Sequence, residues 1–118
     1  MLYEEATHPR IAVGQLWRYA RLPGTALIVA VDRGPAGFVV NVVLEDGVAT
    51  NGVRQVLAPV ASSHLEGHLG EVLSEHVDVS EHLPSYLEWK EQAQEGKAGY
   101  WSCAPDQIIA TVRNGVGG

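Results

Sequence analysis

Two Val-rich apolar runs, Thr25–Val31 and Phe38–Leu44, lie on either side of the short sequence Gly34–Gly37. β-Branched residues on both sides of a segment that contains Gly and Pro are typical of two strands joined by a turn. Because the runs are continuous rather than alternating, the strands are expected to be buried on both faces. The centre of the fold is therefore predicted to be a sheet that curls around itself or carries helices on one side. Asp32 and Arg33, which flank the turn, are expected to be solvated.

Further strands are predicted before and after this pair. Polar and apolar residues alternate in Gly14–Ala20, which indicates a first strand. The segment Val53–Val60 indicates another strand. Asp46 and Gly47 form a hairpin signal, and a short strand is expected to follow at Val48–Thr50.

Helices are predicted in the C-terminal half. Ser62 or Ser63 is expected to cap a first helix with its hydroxyl group. A second helix is expected to begin after Pro84 and to end at Gly96. The apolar face of the first helix has helical spacing and consists of Leu65, Leu69, Val72 and Leu73.

The last part of the chain is predicted to add a short strand at Tyr100–Ser102 and a third helix that begins near Pro105. The whole sequence, 1–118, is expected to form one domain, with 1–13 as an extended lead-in and 114–118 as a glycine-rich tail. The predicted fold class is α+β, with a curled, mainly antiparallel sheet of five or six strands and two or three packed helices.

Composition narrows the class of protein. With 46% hydrophobic residues the chain is expected to fold, and no apolar run approaches the roughly 20 residues of a membrane span. The N-terminal Met1–Glu5 contains acids where a signal peptide requires bases, which favours a cytoplasmic protein. Cys103 is the single cysteine, so no internal disulfide is expected. Its thiol is expected to be packed rather than catalytic.

Negative charge is concentrated in one segment. Glu66–Glu95 contains eight acids and one base, Lys90, for a net charge of −7, whereas the whole chain carries −6. Such a surface repels phosphate backbones, which argues against nucleic acid as a ligand. It attracts a basic protein partner. The alternative is a solvated helical face without a partner.

Six of these acids are the candidates for partner binding, and they form two sets of three. Within each set, helical spacing would place the carboxylates on one face of a helix. The first set is Glu71, Glu75 and Asp78, and the second is Glu88, Glu91 and Glu95.

His64 and His68 are four positions apart, a spacing that places two potential metal ligands on one helix face. A zinc protease requires a glutamate directly after the first histidine, and Leu65 occupies that position here. Gly67 also weakens the helix between the two ligands. Two exposed histidines are therefore expected, with no metal or other cofactor. A metal-dependent hydrolase that uses His64 and His68 is the enzymatic alternative.

The larger aromatic residues have two interpretations. They either join the sheet to the helices as core, or line a ligand cleft, in which case the protein is a small-ligand sensor. These residues are Trp17, Tyr19, Tyr86, Trp89, Tyr100 and Trp101. No serine lies in the Gly-x-Ser-x-Gly motif of hydrolases, and no catalytic residue is assigned.

Two motifs resemble those of a family of small uncharacterised bacterial proteins, and the similarity extends over residues 14–112. The motifs are Gly14-x-x-Trp17-x-Tyr19 and Tyr86-x-x-Trp89 followed by Gly96-Lys97-Ala98-Gly99-Tyr100-Trp101. Members of that family have a His-Pro pair where this chain has Ala58-Pro59. The one histidine that could have been a functional residue shared with the family is therefore missing. The family has no established activity, and the resemblance therefore implies a fold and no function.

The sequence thus favours a non-enzymatic bacterial binding protein with an acidic helical face, such as an immunity-type inhibitor or a regulatory partner. The metal-dependent hydrolase and the small-ligand sensor remain alternatives.

Overall fold

The chain is described by a computed structural model at residues 2–21, 23–46, 55–103, 105, 107–108 and 110–111. Within these residues, six strands form one open sheet in which every strand pair is antiparallel. The strands are β1 (Glu4–Glu5), β2 (Leu16–Tyr19), β3 (Gly24–Gly34), β4 (Gly37–Asp46), β5 (Gln55–Ala61) and β6 (Leu69–Ser74). Their order across the sheet is β5-β4-β3-β2-β6, and β1 pairs with β3 outside this path.

The centre of the sheet is the hairpin of β3 and β4, which pair from Gly24 opposite Asp46 to Gly34 opposite Gly37. These strands contain the two Val-rich runs, so the predicted strand–turn–strand unit is confirmed. Burial on both faces is confirmed as well, because consecutive residues from Val39 to Leu44 are all buried.

Two α-helices have both ends within the described residues. α1 (Ser62–Leu65) continues into a 3-10 turn, Glu66–His68, and α2 (Leu83–Gln94) follows a second 3-10 turn, Ser80–His82. The second predicted helix is therefore confirmed to within about two residues at each end. Near the C-terminus, described positions 105, 107, 108, 110 and 111 are also helical.

The sheet is open and carries helices on both faces, whereas the sequence predicted a sheet that curls around itself or carries helices on one side. Side chains alternate along a strand, and Val42 belongs to the core cluster that contains Leu65 of α1. The neighbouring Val43 packs instead with Tyr86 of α2. Helix α2 thus covers one face of the hairpin, and α1 packs against the other.

The predicted first helix is wrong beyond position 68, because residues 69–74 form strand β6. Leu69 lies opposite Tyr19 of β2, and Val72 lies opposite Trp17. Gly70 permits this pairing, since a Cβ atom there would lie 3.0 Å from the carbonyl oxygen of Arg18. Packing against β2 therefore outweighs the helical spacing of the leucines. The predicted serine cap is also wrong, because Ala61 is the N-cap residue and no side chain caps α1.

Two smaller expectations are corrected at the ends of the chain. The lead-in is not merely extended, because Glu4 and Glu5 pair with Arg33 and Asp32. The predicted strand at 100–102 is reduced to a single parallel bridge between Trp101 and Val60. The expected strand at 48–50 and the glycine-rich tail at 114–118 lie outside the described residues.

Candidate functional site

A buried carboxylate lies beneath helix α2. Asp32 has no exposed surface, although its position beside the turn predicted a solvated residue. The hydroxyl group of Tyr86 donates to its Oδ2 atom at 2.8 Å, and Nζ of Lys90 lies 2.8 Å from its Oδ1 atom. Tyr86 and Lys90 are four positions apart and therefore lie on the same side of the helix. The result is a three-residue polar cluster, Asp32–Tyr86–Lys90, between the helix and the sheet.

The cluster shifts the protonation of two of its members. Burial and the hydrogen bond to Asp32 raise the pKa of Tyr86 to about 12, while Lys90 acts in the opposite direction. Burial by itself lowers the pKa of Lys90, but its interactions with Asp32 and Tyr86 outweigh that effect and the pKa rises. At neutral pH the tyrosine therefore stays neutral and the lysine stays charged.

A cleft of about 220 Å³ lies beside this cluster, where the edge of β3 changes its partner strand. The amide group of Ala6 donates to the carbonyl of Val31 at 3.0 Å on one side of the cleft, and that of Gly14 donates to Ile28 at 2.9 Å on the other. The intervening chain leaves the edge of β3, as shown by the buried Ile11, which packs in the core on the α1 side. The departure of this segment opens the cleft.

The sequence of β3 fits this opening. The pairing of β3 with β4 shifts register between Ile28 and Ala30, as in a β-bulge. Val29 and Ala30 consequently both belong to the core cluster beneath α2. Together with Leu83 they supply the apolar part of the cleft's lining, and Glu5 is its only charged lining residue among those described.

A second feature is the edge of the sheet at β6. Five of its six residues are exposed, and these include Val72 at 37% and Leu73 at 48%. No strand of the described chain pairs with the outer edge of β6. The opposite end of the sheet differs, because the amide group of Trp101 donates to Pro59 of β5 at 2.8 Å. Within the described chain, strand β6 is thus an open edge with apolar side chains in solvent.

Acidic side chains accompany this open edge. Glu71 forms an ion pair with Arg18 of β2, and both side chains are exposed. Glu75 and Asp78 are exposed directly after the strand. The side-chain and backbone hydrogen bonds from Ser80 lower the pKa of Asp78, so this carboxylate stays charged. The predicted helical face of Glu71, Glu75 and Asp78 is nevertheless wrong, because these residues lie on a strand and the turn after it.

The second acidic set keeps its helical spacing. Glu88 and Glu91 are exposed on α2, and Glu95 is exposed just after its last turn. Lys97 lies 3.7 Å from Glu95, which makes an ion pair at the surface. The acidic helical face that the sequence predicts therefore exists on α2 alone.

His64 and His68 do not share a helix face. Helix α1 ends at Leu65, so His64 is helical while His68 lies in the 3-10 turn, and both are exposed. Among the described residues, no group of three or more His, Cys, Asp or Glu side chains has the arrangement of a metal site. The premise of the hydrolase alternative, two ligands one helical turn apart, is therefore wrong.

The six large aromatic residues are divided between the two faces of the sheet. Trp17, Tyr19 and Trp101 belong to the core on the α1 side. The other three lie on the α2 side, with Tyr86 and Trp89 stacked at 6.4 Å between ring centroids. A single cleft lined by all six does not form, and only Tyr86 lines the cleft beside β3. Trp89 and Tyr100, which also lie on the α2 side, are not among the residues that line this cleft.

Sequence reasoning missed Asp32, the cleft and the open edge. One signal for Asp32 was present, because Lys90 is the single base of the acidic segment and therefore a natural partner for a buried acid. The cleft and the edge depend on which strands pair, and the misassigned helix at residues 69–74 concealed the edge.

Comparison with known proteins adds no identification. No protein-family model matches this chain, and no curated protein or solved structure is significantly similar to it. The resemblance to the small bacterial family therefore stays a prediction. In the described part of the chain, no helix has both the length and the apolar character that crossing a bilayer requires.

Proposed function

We propose that this protein is a non-enzymatic binding protein that takes up an extended, basic segment of a partner protein beside strand β6. The observation that carries the proposal is the open edge of β6 with Val72 and Leu73 in solvent. Free edge strands offer unpaired backbone groups to an added strand, and proteins that do not use such an edge usually protect it.

Strand addition would use two properties of β6, its unpaired backbone groups and its exposed apolar side chains. The backbone of an added strand gains ladder hydrogen bonds with the edge, while pockets or patches for alternate side chains give specificity. Leu73 lies where the pairing of β6 with β2 shifts register, between Val72 opposite Trp17 and Ser74 opposite Leu16. Both apolar side chains are exposed beside the edge, so an added strand with apolar side chains gains a contact there.

Charge complementarity favours a basic partner over a second copy of this chain. Two copies of β6 paired with each other would bring Glu71 and Glu75 of both copies to one surface, and like charges oppose such pairing. A segment that carries lysine or arginine would instead meet Glu75 and Asp78, whereas Glu71 already pairs with Arg18. The wider acidic segment, with a net charge of −7 between Glu66 and Glu95, would attract the same partner over a longer range.

The proposed class, a non-enzymatic binding protein, is the one that the sequence favours. The proposed binding surface is strand β6 instead of an acidic helical face. An immunity-type inhibitor or a regulatory partner in the cytoplasm would work in this way, by occupying a basic extended segment of its target. The acidic face of α2 would then assist the encounter, while β6 would supply the direct contact.

The test uses a synthetic peptide, acetyl-Lys-Val-Lys-Val-Lys-Val-amide, and nuclear magnetic resonance spectra of the labelled protein. We expect saturable shifts in the amide signals of β6 and β2 and weaker binding as the salt concentration rises. The matched peptide acetyl-Glu-Val-Glu-Val-Glu-Val-amide should leave these signals unchanged. Equal binding of both peptides, or shifts located elsewhere, would overturn the proposal.

Two variants locate the binding edge. Val72→Lys introduces a charge of the kind that protects natural edges and should abolish peptide binding. Leu87→Lys makes the same type of change at a residue of α2 that is 57% exposed, and it should leave binding intact. If the unmodified chain dimerises as its concentration rises, and Val72→Lys prevents this, the edge binds a second copy of the chain. That outcome would refute a basic partner.

A further inference from the structure

The cleft beside β3 lies apart from the open edge of the sheet and supports an inference beyond the proposed function. We propose that this cleft binds a small aliphatic organic cation. Its ammonium group lies at Glu5, and its alkyl chain lies against Val13, Val29 and Leu83.

The cleft is open to solvent, and its lining is about equally polar and apolar. Val13, Val29 and Leu83 supply apolar side chains, and Val13 is 54% exposed. Concave sites that combine apolar side chains with a few fixed polar groups are typical of small-molecule binding. An alkyl chain in the cleft would cover Val13 and remove its exposed apolar surface from water.

One wall of the cleft is held rigidly. Tyr86 lines the cleft, while its hydroxyl group donates to Asp32 at 2.8 Å, and Asp32 is in turn paired with Lys90. The phenol is therefore fixed from the side away from the ligand. Because a preformed wall loses little conformational freedom on binding, it favours the affinity of a small ligand.

The charges around the cleft select a cation. Glu5 and Asp32 are cross-strand partners, so their side chains lie on the same face of the sheet. Lys90 pairs with the buried Asp32, which leaves the exposed carboxylate of Glu5 as the charge available to a ligand. Arg33 is adjacent to Asp32 in the strand but lies over the ring of Phe38, 5.9 Å from its centroid. It therefore does not neutralise Glu5.

The volume limits the ligand. About 220 Å³ is below the roughly 300–1,000 Å³ of typical small-molecule sites. The cleft therefore suits a small ligand, such as a primary ammonium on a short unbranched chain, rather than a nucleotide.

Pentylammonium is the probe that tests this proposal, with pentanol and pentanoate as neutral and anionic controls of similar shape. Titration of the labelled protein should give saturable shifts in the amide signals of Ala6, Val13 and Ala30. Pentanol should bind at least about tenfold more weakly, since it lacks the charge-assisted contact with Glu5. Pentanoate should not bind.

Two variants and one control complete the test. Glu5→Gln should weaken pentylammonium binding by about tenfold, and Val13→Lys should abolish it by placing a competing ammonium group at the rim. Glu4→Gln removes the same charge from the preceding exposed residue, which lines a different depression near Pro35, and should leave binding unchanged. The proposal is overturned if pentylammonium causes no saturable shifts, if pentanoate binds equally well, or if Glu5→Gln and Glu4→Gln have the same effect. None of these outcomes depends on strand β6.

Discussion

Nζ of Lys90 in helix α2 lies 2.8 Å from Oδ1 of Asp32 in strand β3, a carboxylate with no exposed surface. The lysine side chain itself is 20% exposed, so its ammonium group reaches inward from the protein surface. A buried charge is tolerated only when it is paired and hydrogen-bonded. This contact therefore fixes where α2 sits on the sheet and holds the wall of the cleft that Tyr86 forms.

Removal of the lysine charge should destabilise the protein strongly. Lys90→Met keeps most of the side-chain volume but leaves Asp32 without its cation, and we expect a loss of about 3–5 kcal/mol in the free energy of unfolding. Urea denaturation measures this loss. The double variant Asp32→Asn/Lys90→Met removes both charges and should recover part of it. If the double variant is less stable than Lys90→Met, the unpaired buried charge is not the cause of the stability that Lys90→Met loses.

The raised pKa of Tyr86 predicts a loss of stability in alkaline solution. The folded protein keeps the phenolic proton to a pH of about 12, whereas the unfolded chain loses it near the ordinary tyrosine pKa of 10.0. The contribution of Tyr86 is therefore fully present below pH 10.0 and is lost as the pH rises towards 12. The raised pKa of Lys90 acts in the same direction.

Denaturation curves between pH 9 and 12 test this expectation, with Tyr86→Phe as the comparison. The phenylalanine variant should be less stable at neutral pH by about 1.5–3 kcal/mol, because it loses a hydrogen bond to a charged group. Its stability should also fall less steeply above pH 10. Parallel curves for the two proteins would show that Tyr86 does not titrate as described.

The central hairpin was predictable because its pattern is local. Val40 and Val42 are buried as their strand requires, and Gly37 in the turn has the positive φ of 124° that suits glycine. The burial predicted for β3 and β4 depends only on residues that are adjacent in sequence. Expectations of this kind need no knowledge of which elements meet.

The site was less predictable because it depends on contacts between distant residues. Asp32 and Tyr86 are 54 positions apart, and no local pattern states that the helix will lie over that strand. The error at residues 69–74 has a similar cause, since the leucine spacing suits a helix but pairing with Trp17 and Tyr19 selects a strand. Tertiary contacts commonly outweigh such local preferences.

Gly24 should tolerate alanine much less well than Gly37. Both have positive φ, 127° and 124°, so both substitutions introduce backbone strain of about 1–3 kcal/mol. A Cβ atom on Gly24 would also collide with the carbonyl oxygen of Glu45 and lie 2.8 Å from the Tyr19 ring, whereas at Gly37 it would meet nothing within 4 Å. Thermal denaturation of Gly24→Ala and Gly37→Ala should show the larger loss for Gly24→Ala, and equal losses would refute the collision.

Purified protein should contain no stoichiometric zinc. His64 and His68 are exposed and lack the shared helix face that two ligands at this spacing require. Elemental analysis after dialysis against zinc measures the content, and His64→Ala should leave it unchanged. One zinc per chain that disappears in His64→Ala would contradict this expectation and restore the hydrolase alternative.

Charge reversal near β6 should slow peptide association more than the same change on α2. The pairs Glu71→Lys/Glu75→Lys and Glu88→Lys/Glu91→Lys alter the net charge equally, and all four side chains are exposed. Glu71→Lys also removes the exposed ion pair with Arg18, but such pairs contribute little to stability, so both variants should remain folded. Screening limits attraction to about 8–10 Å at physiological salt, so carboxylates beside the binding edge act most strongly on the peptide.

Stopped-flow association of acetyl-Lys-Val-Lys-Val-Lys-Val-amide with each variant, at low and high salt, makes the comparison. We expect the variant near β6 to associate more slowly at both salt concentrations. The α2 variant should be slower than the unmodified protein only at low salt, because long-range steering is the component that salt removes. If the two variants slow association equally, the acidic segment acts through its net charge alone. An association rate of the unmodified protein that does not change with salt would exclude electrostatic steering altogether.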